Sequence, residues 1–155
     1  MNFVFLADRP EALELVSRWY YDEWGRLNPE TTIEGLTQKL SLSMNRDKVP
    51  LILLAIDQNV VVGAVELKYR EMKIYPDKEH WLGGLYVTRE YRGSGIGKQL
   101  VQQAVQLAHE LGISQLHLQT EQLDGGIYTS LGWRPTEQIN NKGVDVLVME
   151  KDVGV

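Results

Sequence analysis

A chain of 155 residues has the size of one domain, and 43% hydrophobic with 24% charged residues is a globular composition, not a disordered one. With no cysteine, disulfides, thiolate zinc sites and a cysteine nucleophile are excluded, and His80, His109 and His117 lack metal-ligand spacing, so no metal is expected. The formal charge of −5, from 16 basic and 21 acidic residues, argues against a nucleic-acid partner and suits either solubility or attraction of a cationic acceptor.

Met1 to Asp8 has no basic n-region and no run of about 20 apolar residues occurs, so no signal peptide, no membrane partner and a cytoplasmic location are expected. Residues 3–7 are apolar and β-prone, a short first strand. Asp8-Arg9-Pro10-Glu11 has the pattern of a capping box, with Asp8 accepting from the Glu11 N–H and Pro10 placed where no helical donor is needed. The helix that follows runs to about Trp24 with Leu13, Val16 and Tyr20 on its buried face, and Gly25 and Pro29 break it. Its aromatic and acidic residues, Trp19 to Trp24, suit either an amine pocket or a core face with solvated Asp22 and Glu23. Thr31 or Thr32 caps a second helix carrying Ile33, Leu36, Leu40 and Met44.

The period then shifts to that of strands. Leu51 to Ile56 is a continuous apolar run, Asp57-Gln58-Asn59 a turn, and Val60 to Tyr69 the hairpin partner, with Gly63 a bulge or a close backbone approach. Residues 70–79 read as a loop and Trp81 to Thr88 as another strand. A glycine-rich loop leads into a helix with Ile96, Leu100, Ala104, Leu107 or Ala108, and Leu111 inward, ended by Gly112. Ile113 to Thr120 is a strand, a short helix surrounds Tyr128 and stops at Gly132, and Trp133 to Ile139 with Val144 to Met149 makes a last hairpin. With no repeat or linker, residues 1–155 are expected to form a single domain. Its class is α/β (α+β), a mixed, mostly antiparallel central sheet of about six to seven strands flanked by about four helices.

Between strand and helix, Gly93, Gly95 and Gly97 let backbone N–H groups line one concavity, to which the helix dipole adds positive charge; Arg92 and Lys98 flank it. Such a loop suits a pyrophosphate. It fails as a Rossmann fingerprint, because Lys98 and Leu100 stand where the third glycine belongs, and as a Walker A loop, because Arg92 and Gln99 stand at required positions. Taken alone it is also compatible with a ligand-free strand-to-helix turn.

The stretch Leu85 to Leu100 resembles the acetyl-CoA motif of the GNAT superfamily of N-acetyltransferases, Arg/Gln-x-x-Gly-x-Gly/Ala, filled here by Arg92, Gly95 and Gly97. Downstream, Ile127-Tyr128-Thr129-Ser130-Leu131-Gly132-Trp133 resembles the family's Tyr-x-x-Leu-Gly-Phe/Trp segment, and the order of elements agrees along nearly the whole chain. The resemblance implies transfer of an acetyl group from acetyl-CoA to a primary amine, on a small molecule or a peptide or protein N-terminus, by direct attack in a ternary complex. A different class, an acyl-CoA-binding sensor domain without turnover, would keep the same loop.

By the same resemblance, Arg92, Gly93, Ser94, Gly95, Ile96, Gly97 and Lys98 hold the pyrophosphate. Leu85, Tyr86 and Val87 offer backbone groups to the pantetheine, on a strand that splays at a bulge, and one N–H there polarises the thioester carbonyl. Tyr128 takes the general-acid position near the sulfur, or else packs over the pantetheine. Some relatives carry a glutamate on the strand before the loop, whereas Trp81-Leu82-Gly83-Gly84 has no carboxylate; Glu66 or His80, acting through water, are the candidate bases. Residues 117–133 also look somewhat like the branch that acetylates protein N-termini. Related enzymes are often dimers, so a homodimer is one assembly the resemblance leaves open.

Overall fold

Six apolar residues in a row, Leu51 to Ile56, leave no side of a strand to face water, and all six are buried in the computed structural model, which describes residues 1–154. They form β2 (Leu51–Asp57), which pairs antiparallel with β1 (Asn2–Phe5) so that Phe3 stands opposite Ala55. Between β1 and β2 come α1 (Leu13–Glu23) and α2 (Ile33–Leu40). After β2 follow β3 (Val60–Tyr69), β4 (His80–Val87), α3 (Ile96–Glu110), β5 (Gln115–Thr120), α4 (Gly126–Ser130), β6 (Arg134–Asn141) and β7 (Val144–Asp152). The strands hydrogen-bond in the order β1-β2-β3-β4-β5-β7-β6. β4 and β5 run parallel, with Trp81 opposite His117, while β5–β7 and β6–β7 are antiparallel. Among the described residues this is a mixed sheet of seven strands with four α-helices, in the element order expected from the sequence.

The chain packs as two compact units, one of Met1–Glu66 with Gly84–Val101, the other of Leu67–Gly83 with the chain from Gln102 onward. In the first, α1 buries Val16, Trp19 and Tyr20 in a cluster with Leu6, Leu40, Ile52, Leu54 and Ile56. The capping box expected at Asp8 does not form. Pro10–Ala12 makes its own 3-10 turn, which moves the helix start to Ala12, a residue without a side-chain cap. The Asp8 carboxylate accepts from the Arg46 guanidinium instead. At α2 the cap is Thr32, whose hydroxyl accepts from the Gly35 N–H at 3.0 Å; Met44 lies past the helix end and still packs on this core. In the second unit Trp81, Met72 and Val148 form the buried centre, flanked by Tyr75 and Ile139.

β4 does not run straight. Gly84 has φ +59°, a left-handed conformation inside a strand, and the Tyr20 hydroxyl donates to its carbonyl at 2.6 Å. A Cβ on Gly84 would lie 2.6 Å from the Tyr20 hydroxyl oxygen and 2.8 Å from its Cζ, so both backbone and space demand glycine. Gly84→Ala should therefore lower the unfolding free energy by about 2–4 kcal/mol in urea titrations, through backbone strain and overpacking. A variant within about 0.5 kcal/mol of the parent, the usual range for a neutral surface change, would mean that β4 is not kinked there.

Candidate active site

β4 hands over to α3 through a short turn, Arg89–Tyr91, and a loop made rigid from below. The Tyr91 hydroxyl donates to Asp57 Oδ2 at 2.6 Å, and the Thr88 N–H donates to the Val62 carbonyl at 2.9 Å. The hydrogen bond to Asp57, with burial second, raises the Tyr91 pKa, so this tether keeps its proton at neutral pH. Gly93 and Gly95 have φ +83° and +89°, and a Cβ built on either would meet nothing within 4 Å. They serve backbone shape and leave open space above it.

The first amide of α3 taken by a backbone carbonyl is that of Gln99, bonded to the Gly95 carbonyl at 3.1 Å. The preceding amides of Ile96, Gly97 and Lys98 sit at the open end of a 15-residue helix, where the dipole places partial positive charge. Ile96 is buried by its side chain, Gly97 is half-buried, and Lys98 is exposed beside them. Ser94 is committed to the loop itself: its hydroxyl and its N–H, the latter at 3.3 Å, both donate to the Tyr91 carbonyl. Arg92 is held in place. Its Nε donates to the Val87 carbonyl at 2.8 Å, its guanidinium lies 5.4 Å over the Tyr86 ring, and that ring stacks on Trp19 at 4.9 Å. The stack leaves the remaining donors of this exposed arginine, which precedes the glycine loop in the chain, free of Val87 and Tyr86 and open to solvent. These features form a cradle with the charge and room that a pyrophosphate needs.

Leu85, Tyr86 and Val87, all half-buried, belong to the same unit as the loop. So does Glu66, a buried carboxylate on β3 that accepts from the Ser43 hydroxyl at 3.0 Å. Burial, and then the Glu66 charge, hold the Tyr20 pKa well above the ordinary tyrosine value, which keeps its hydroxyl a donor to Gly84. The aromatic and acidic stretch of α1 thus divides: Trp19 and Tyr20 are buried, while Asp22, Glu23 and Trp24 are exposed.

Tyr128 lies in the other unit, on α4, which starts after Gly125 at φ +88°. Its carbonyl accepts from the Trp133 N–H at 3.1 Å, and its ring meets buried Trp133 edge-on at 6.0 Å. Among the described residues its hydroxyl has no hydrogen-bond partner that acts on its titration, and burial pushes its pKa up to about 12. His80 is half-buried with its ring edge-on to Tyr69 at 5.9 Å, also in this second unit. The Trp19–Tyr86–Arg92 stack, the Tyr20–Gly84 bond and the Ser43–Glu66 pair have no signature in the sequence beyond the buried spacing of Tyr20.

The acetyltransferase (GNAT) family profile matches residues 9–126, about three quarters of the chain. The chain belongs to this family. Human N-acetyltransferase 8B is 34% identical over 88 residues, which are 55% of this chain and 39% of that protein, so the chain spans well under half of that relative. An aminoglycoside 6'-N-acetyltransferase solved with coenzyme A shares the fold at a TM-score of 0.76 and 16% identity, over 99% of this chain and 97% of that one. The ribosomal-protein-alanine N-acetyltransferase of Brucella melitensis does so at 0.73 and 23%, over 98% and 99%. At these identities the structural likeness speaks for the fold. Among the described residues, no helix is long and apolar enough to cross a membrane.

The raised Tyr128 pKa carries a sign that can be checked. A folded value of about 12 above an unfolded value of about 10 gives stability that is whole below pH 10 and lost as pH climbs toward 12. Tyr128→Phe removes that loss, so between pH 10 and 12 urea titrations should show the wild type weakening more steeply than the variant. Parallel curves would show that the phenol is not buried in the fold.

Proposed function

We propose that the chain is an N-acetyltransferase that moves an acetyl group from acetyl-CoA to a primary amine in a ternary complex. The observation that carries this reading is the open amide end of α3 with Arg92 fixed beside it, in a chain of the acetyltransferase family. Acetyl-CoA supplies the activated acyl group. The amides of residues 96–98, the positive-φ turns at Gly93 and Gly95, Lys98 and the free donors of Arg92 hold its pyrophosphate; Ser94 shapes the loop. Backbone groups of Leu85, Tyr86 and Val87, just past the Gly84 kink, bind the pantetheine, and one N–H polarises the reacting carbonyl, a contribution of roughly 2.7–4 kcal/mol.

As the new N–C bond forms and the C–S bond breaks, the amine proton leaves through water to Glu66, whose carboxylate the Ser43 hydroxyl orients. Tyr128 donates to the departing sulfur. Against an ordinary thiol near 8.5, a phenol at about 12 makes full proton transfer uphill by roughly 5 kcal/mol, so its part is a hydrogen bond and not a completed transfer. The two structural neighbours are named for different acceptors, an aminoglycoside and a ribosomal-protein alanine, so the acceptor is set by residues outside the shared frame.

Acetyl-CoA at a hundredfold excess over its Kd should raise the melting temperature by roughly 5–10 °C, while ATP and NADH leave it in place. Thiol release should follow with at least one member of a panel of aminoglycosides, polyamines, amino acids and peptide N-termini. Gly95→Val, which puts a branched side chain at φ +89° above the loop, should abolish the shift. Tyr128→Phe should keep the shift and lower single-turnover rates roughly 10- to 100-fold, the worth of one hydrogen bond to a charge. Protection by ATP alone would refute the cofactor, and binding without thiol release from any amine would make the chain a sensor.

A further inference from the structure

β4 carries no carboxylate of its own, but one reaches it from outside. Arg70, immediately after β3, takes φ +50° and donates its N–H to the Glu79 carbonyl at 2.7 Å, turning the chain so that Glu71 points back over β4. There Glu71 Oε1 lies 3.3 Å from where a Cβ of Gly83 would stand, so a side chain at position 83 would crowd it. Lys68 Nζ donates to Oε1 at 2.7 Å and Gln119 Nε2 to Oε2 at 3.2 Å, while Asn141 Nδ2 donates to Gln119 Oε1 at 3.1 Å. Every donor in this row runs toward the Glu71 carboxylate. All of these residues belong to the second unit, and Gly83 immediately precedes the kinked Gly84 in the chain.

Two features give the row a ligand chemistry. Among the described residues each carboxylate oxygen takes one side-chain donor where it has lone pairs for two, so Glu71 retains acceptor capacity although its side chain is only 16% exposed. The place over Gly83 also accepts a primary ammonium already, because Lys68 Nζ sits 3.1 Å from the missing Cβ. Lysine is a point charge on a flexible stem, and at 29% exposure this one has a path to water. A reacting amine must be neutral to attack, so a carboxylate that holds an ammonium serves a nitrogen that stays charged.

We infer that Glu71 anchors a second, cationic nitrogen of the acceptor, with Lys68 as the ammonium that gives way to it and Gln119 and Asn141 holding the carboxylate in line. The acceptor class is then a diamine or polyamine or another amine with a further fixed positive charge. This rests on the proposed acetyl transfer.

The test uses the whole chain labelled with 13C-glutamate, saturated with coenzyme A, and titrated with 1,4-diaminobutane against 1,4-butanediol. The Glu71 carboxyl signal, assigned by its loss in Glu71→Gln and confirmed in Glu71→Asp, should shift saturably with the diamine and not with the diol. Diamine binding should weaken about tenfold or more in Glu71→Gln, the loss of a charge-assisted hydrogen bond, and tighten about three- to tenfold in Lys68→Met. A silent Glu71 signal, equal binding by Glu71→Gln, or weaker binding by Lys68→Met would overturn the inference. The acetyl-CoA-induced rise in melting temperature is measured on the same samples. Its absence overturns acetyl transfer and this inference together, whereas a normal rise with a silent Glu71 overturns the inference alone.

Discussion

The hydrogen bond from the Tyr20 hydroxyl to the Gly84 carbonyl, 2.6 Å long and buried, joins α1 to the one residue at which β4 leaves strand geometry. A left-handed glycine inside a strand gives up ladder hydrogen bonds and backbone entropy, and persists only where its surroundings hold it. Here Tyr20 does so from below, kept protonated by burial and by the Glu66 charge. The neighbouring residue on the helix, Trp19, stacks on Tyr86 and, through that ring, positions Arg92. Thus the buried face of α1 supports both the kink and the arginine of the loop. The chemistry assigned to β4 depends on a helix that touches none of the reacting atoms.

Much of the frame was legible because its determinants are local. The 3.6-residue spacing of α3, the apolar run of β2 and the positive φ of Gly112 and Gly132 each act within one turn or strand. Gly63 was readable as a close approach, and a Cβ there would lie 3.0 Å from Leu100 Cδ1 and from the Tyr86 carbonyl oxygen. Asp8 was misread because its carboxylate pairs with Arg46, 38 residues away, a partner that no local pattern reveals. The glycine loop stands out by residue type, whereas the bonds that the Ser94 hydroxyl and N–H make to the Tyr91 carbonyl have no mark in the sequence. Glu71 read as a loop residue, since its partner Gln119 is 48 positions distant and no periodicity connects them.

Electrostatics divides the work along the chain. Positive charge is local and fixed, at the mouth of α3 and on Arg92, in a protein whose net charge is −5. On the proposed reading, an anionic cofactor is held by backbone amides and one stacked guanidinium and not by a broad basic surface, and the overall field favours a cationic acceptor. Tyr128 follows another rule, in which burial alone raises the phenol, so that in the proposed mechanism it serves the sulfur as a hydrogen-bond donor and not as a full proton donor.

Amide chemical shifts of 15N-labelled protein test the central claim, that the loop and the first turn of α3 bind the pyrophosphate. Acetyl-CoA should move the amides of Gly93, Gly95, Ile96, Gly97 and Lys98 saturably and further than any others, and pantetheine, which lacks the pyrophosphate, should leave these five in place. Saturable binding of acetyl-CoA with those five amides unmoved would contradict the account.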